Sequence, residues 1–75
     1  MSRIYGQVLK YFIARIEFDK NGAQVSILCY KPGYGTVWSG DLKDKDIIYY
    51  ETEKDAKDAT QCLSGASVHG TLVDI

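Results

Sequence analysis

Apolar and polar residues trade places at two different periods along this chain, and the changes of period mark its elements. Ile4, Tyr5, Val8, Leu9, Phe12, Ile13 and Ile16 recur near the spacing of a helical stripe. The triplet Tyr11-Phe12-Ile13 and its β-branched neighbours favour a strand instead. The balance predicts a strand from about Val8 to Phe18, with Phe12, Ala14, Ile16 and Phe18 on one face and Arg15 and Glu17 on the other. Whether residues 1–13 begin with a helical turn is left open by this pattern.

Asp19-Lys20-Asn21-Gly22 then reads as a hairpin turn, because Asn and Gly tolerate the positive φ that tight hairpins demand. The strand it leads into, Ala23–Tyr30, places Val25, Ile27 and Cys29 on one face. The segment Lys31-Pro32-Gly33-Tyr34-Gly35 breaks the chain again, and Thr36–Ser39 follows as a short strand. A charged surface connection, Asp41–Asp46, precedes a fourth strand at Ile47–Glu51.

The next period is helical. Thr52 is an N-cap with Asp55 three residues on, and Glu53 and Asp55 place negative charge where the helix dipole favours it. Ala56, Ala59 and Leu63 form a thin apolar stripe over a helix of about Glu53–Leu63, and Gly65 is its stop. So thin a stripe must lie against a sheet. Val68–Val73 returns as the last strand, with either face able to turn inward. The order is β-β-β-β-α-β. This predicts one α+β domain over residues 1–75, a mostly antiparallel sheet of four to five strands with one helix packed on one face.

Composition narrows the function classes. Seventy-five residues form a single small core, and the 45% hydrophobic and 25% charged fractions are those of an ordinary globular chain rather than a disordered one. No run is long and apolar enough to cross a bilayer, and no export signal is visible, so the expectation is a cytoplasmic chain without a membrane partner. Cys29 and Cys62 then read as two buried thiols; whether they lie near each other is not legible. With one histidine and no close spacing they make no metal set, and no cofactor is implied. The formal net charge of −1 hides an asymmetry, since the acidic residues concentrate after residue 40. That excess suggests a face that steers toward a basic partner.

The aromatic residues are the candidate chemistry. Six tyrosines and one tryptophan exceed what so small a core needs. Tyr30, Tyr34 and Trp38 gather around the glycine-bearing turn, and large rigid aromatics are the side chains that anchor protein interfaces. With Asp41, Asp44 and Asp46 beside them, they form the expected partner-binding set. Gly33–Gly35 lacks the Lys-Ser/Thr of a phosphate loop. Ser67, His69 and Asp74 have the residue types of a triad, but neighbours on one strand are not expected to supply its geometry, so no catalytic residue is assigned.

Tyr50-Glu51-Thr52-Glu53-Lys54-Asp55-Ala56, then Leu63-Ser64-Gly65 and His69-Gly70-Thr71-Leu72-Val73, resemble the second half of an RNA-recognition motif. The resemblance covers less than half the chain, on capping and packing positions. It implies single-stranded RNA binding, for which Tyr11, Lys45 and Tyr49 would serve. Lys45 and Ile47 stand where that family has aromatics, however, and Lys31 is the sole cation between Asn21 and Gly40. Phosphate affinity needs more positive charge than that. Nucleic acid is therefore the secondary expectation.

The primary expectation is a small protein-binding module that acts by occupying another protein's surface. Regulators and phage-encoded inhibitors of host or defence proteins are chains of this kind. An open sheet edge adds the expectation of a homodimer.

Overall fold

The computed structural model describes residues 6–74. Its elements are β1 (Gln7–Asp19), β2 (Gly22–Lys31), β3 (Gly35–Ser39), α1 (Glu53–Thr60) and β4 (Ala66–Asp74). The strands form one antiparallel sheet in the order β3-β2-β1-β4, with α1 against β1 and β4. The predicted α+β class is the observed one. The suspected helical turn at the N-terminus falls mainly outside the described residues; from Gln7 onward the chain is strand.

Local chemistry explains the hairpin. Asp19 pairs with Gly22, and the Asp19 carboxylate accepts from the Asn21 backbone N–H at 2.7 Å. That side-chain turn holds the chain while Gly22, at φ 118°, takes the conformation other residues avoid; Asn21 does not share it. The register sets Ile16 opposite Val25 and Phe18 opposite Ala23.

The predicted fourth strand is different in kind. Hairpin pairing stops at Ala14–Ile27, and the two strands part. Into that gap comes the segment 46–50. Tyr30 N–H donates to Asp46 C=O at 3.0 Å and Ile48 N–H to Leu28 C=O at 3.2 Å. Two residues later, Tyr50 exchanges backbone bonds with Tyr11 of β1 at 2.7 and 2.9 Å. Ile47 and Tyr50 thus form isolated bridges in place of a ladder. The backbone groups bared where β1 and β2 diverge require partners, and this wedge supplies them. Ion pairing of Lys10 with Glu51 at 2.6 Å ties down its far end and holds the Glu51 carboxyl below its ordinary range.

Thr52 caps α1 as its sequence indicates, its hydroxyl accepting from Asp55 N–H at 3.1 Å. The helix ends earlier than its stripe suggests, at Thr60, with Gly65 at φ 75° redirecting the chain into β4. Replacing Thr52 with alanine should destabilise the fold by about 1 kcal/mol, readable as a lower urea midpoint.

Strand alternation gives the sheet two distinct faces. Ile13 and Leu28 lie on the face that the helix covers through the fully buried Ala56. Ala14, Ile27 and Cys29 are buried on the opposite face, beneath the loop between β3 and α1. Cys62, by contrast, is exposed: only one of the two thiols expected inside is there. Residue 62 lies just past the end of the shortened helix, where nothing covers it.

Candidate functional site

The face opposite the helix is only partly covered. Beyond the buried trio, β1 and β2 run on as a projecting arm in which every residue from Ile16 to Val25 is exposed. Phe18 is 81% exposed and Ile16 43%, on the same side as Val25. Ile16 and Val25, together with Phe12, Leu42, Tyr49 and His69, border an open groove of about 280 Å³, and Phe18 lies beyond it on the same face. Leu42 is 58% exposed at its rim.

Loop 40–49 forms one wall of that groove, and a charge cluster holds the loop. Lys31 Nζ reaches both Asp44 oxygens, at 2.7 and 2.8 Å, and Asp46 at 3.0 Å. Ser39 Oγ donates to Asp44 at 3.0 Å, and the Asp46 N–H donates to it at 2.9 Å. The lysine's hydrogen bonds, with help from the Asp46 amide, bring Asp44 from the ordinary 3.8 to about 2. The same bonds to Asp44 and then Asp46 raise Lys31 above its ordinary value. Asp41 turns inward on its own loop, accepting from Lys43 N–H at 2.9 Å. Asp44 and Asp46 therefore spend their charge on Lys31, and the acidic segment is a clamp on the loop.

The aromatic candidates separate. Tyr34, at the tip of the β2–β3 turn, is 85% exposed, and Tyr30 is exposed beside it. Trp38 is half-buried under Arg15, whose guanidinium carbon lies 4.6 Å from the ring centroid. By strand alternation Tyr30 and Trp38 share the helix side of the sheet, away from the groove. Of the RNA-binding set, Tyr49 lines the groove, Tyr11 lies on the other face beside Gly70, and Lys45 is on the exposed loop. No single surface brings these three together.

Ser67 and His69 do meet. They are two apart on β4, hence on one face, and Ser67 Oγ lies 2.8 Å from His69 Nε2. The two-residue period of a strand brings this pair together. Phe12, opposite His69 in the register, stacks on its ring with centroids 5.6 Å apart. Asp74 cannot complete a triad, because it lies on the opposite face and receives a hydrogen bond from Gln7 at 3.4 Å. Among the described residues nothing orients the imidazole through its other nitrogen, as acyl-transfer chemistry requires. The described residues also contain no cluster of donors able to hold a metal ion.

Comparison of the chain with protein-family models, with curated proteins and with solved structures finds no match. Among the described residues no helix is long and apolar enough to cross a membrane.

The groove is what sequence reasoning missed. Phe12, Ile16, Phe18 and Val25 were legible as one apolar face of a hairpin, and such a face is normally assigned to the core. The signal that could have exposed it is arithmetic: β1 is apolar on both faces, and a helix as short as α1 can cover only one of them.

Proposed function

We propose that this chain is a small non-catalytic protein-binding module, acting by occupying a partner's surface with the groove face of its sheet. The observation that supports this reading is the contiguous apolar surface of Phe18, Ile16, Val25, Leu42 and Tyr49 left in water. Large aromatic and aliphatic side chains around a concave centre make the desolvated core of an interface. Between Phe12 and Phe18 this face carries no charged side chain, so it suits an apolar patch on a polypeptide better than a phosphate backbone. Inhibition of a host or defence protein is one form such occupancy takes.

The exposed Tyr30 and Tyr34 supply a second, separate contact. The two are told apart by paired variants, each at exposed positions that the fold does not need. Phe18→Ser with Leu42→Ser should lower recovery of a captured partner about tenfold or more, judged by quantitative mass spectrometry. Tyr30→Ser with Tyr34→Ser should leave most of it. The reverse outcome moves the contact to the aromatic turn, and full recovery by both folded variants would refute this assignment.

A further inference from the structure

We infer that the outer edge of β4 pairs with the same edge of a second copy, joining two sheets into one around a two-fold axis at Gly70. Among the described residues β4 has β1 as its only strand neighbour, so its far side carries unpaired backbone groups. Which groups these are follows from the hydrogen bonds. Tyr11 gives both its N–H and its C=O to Tyr50, on the side away from β4. The Tyr11–Gly70 pair is therefore not hydrogen-bonded, and Gly70 points its own N–H and C=O outward. By alternation so do Ala66, Val68, Leu72 and Asp74.

Edges of this kind are normally blunted by lysine, proline, a bulge or extreme shortness. The other edge, β3, has only the five residues Gly35–Ser39. β4 has nine, with no lysine, no proline and an unbroken register to β1. Gly70 is the middle residue of the nine. Antiparallel pairing about it sets Val68 of one copy against Leu72 of the other and His69 against Thr71, with about ten backbone hydrogen bonds in all. The only charge on the strand, Asp74, falls opposite Ala66, so no like charges meet. A net charge of −1 per chain adds no general repulsion. The pairing also covers Leu72, which is 61% exposed in the single chain.

A two-fold axis perpendicular to the sheet puts both groove faces on the same side. The assembly would therefore present its proposed contact surface twice, though the pairing itself does not depend on that surface.

Sedimentation velocity over a dilution series tests this, alongside amide exchange by NMR. At about 100 μM, a concentration suited to a micromolar association, the wild-type chain should sediment at twice its mass. The Val68, Gly70 and Leu72 amides should exchange slowly there and fast on dilution. Leu72 N–H points outward, so Leu72→Pro removes a donor only the dimer uses and is tolerated as on other edge strands. This variant should keep the wild-type circular dichroism and raise the dissociation constant at least about tenfold. Should it fail to fold, the wild-type exchange data decide alone. A monomeric wild type at that concentration overturns the inference. So does a dimer unaffected by Leu72→Pro, or one whose Gly70 amide exchanges like an exposed loop amide.

Discussion

Ile13→Ala should cost this protein about 2–5 kcal/mol, the range for removing a buried aliphatic side chain and leaving a cavity. Ile13 is fully buried, paired with Val68 of β4 and on the helix-covered face with Leu28. A chain of this length has about 4–11 kcal/mol of total stability, so the substitution removes a large share of it. At about 4–8 °C per kcal/mol, thermal unfolding followed by circular dichroism should shift down by roughly 10 °C or more. Ile16, three residues along the same strand, provides the control. It is the same residue type, left in water on the groove face, and Ile16→Ala should cost less than about 1 kcal/mol. Equal losses at the two positions would mean that the helix face is not the core.

That contrast between two isoleucines marks how far the sequence could be read. Elements specified by their own few residues were legible: Asp19 to Gly22 as a turn, Thr52 as a cap, and the class of fold they imply. Each is a local hydrogen bond or a backbone angle that only certain residues supply. Choices made across the chain were not. Ile47–Glu51 has the composition of a strand, but its role as a wedge depends on where β1 and β2 part, at Ala14 and Ile27, far earlier in the chain. Arg15 alternates with apolar neighbours as a solvent-facing residue would, yet it lies over Trp38 with its Nε buried and unpaired.

The candidate site divides along the same line. Tyr30 and Tyr34 are exposed as a glycine-bearing turn suggests. Asp44 and Asp46 looked like a docking surface because a run of acids shows no partner in sequence. Lys31, thirteen and fifteen residues away, is that partner. Apolar positions in β1 also fail to announce which of them the helix will cover, so the groove became visible only with the fold.

Lys31→Met should loosen the loop that Lys31 holds and uncover the thiol beneath it. Without the ammonium group, Asp44 and Asp46 are two carboxylates close together with no cation between them, and their repulsion drives loop 40–46 outward. Cys29 is fully buried below that loop, and burial, chiefly, raises its pKa, so at neutral pH it reacts slowly with thiol reagents. In a Cys62→Ser background, Lys31→Met should label Cys29 about tenfold faster by local opening, with global unfolding monitored separately. Acid should have a similar effect on the wild type, and the direction follows from Asp44. Its folded pKa lies below its ordinary one, so its contribution is complete above pH 3.8 and is lost as the pH falls toward about 2. Lys31 shifts the opposite way: its contribution is present below 10.5 and is lost only as the pH rises beyond that value. The clamp should therefore be insensitive to pH from 5 to 9, because both groups stay charged there. Asp44→Asn should flatten the acid limb between pH 4 and 2. An unchanged acid limb, with Cys29 still protected in Lys31→Met, would show that the loop is held by its apolar contacts and not by its charges.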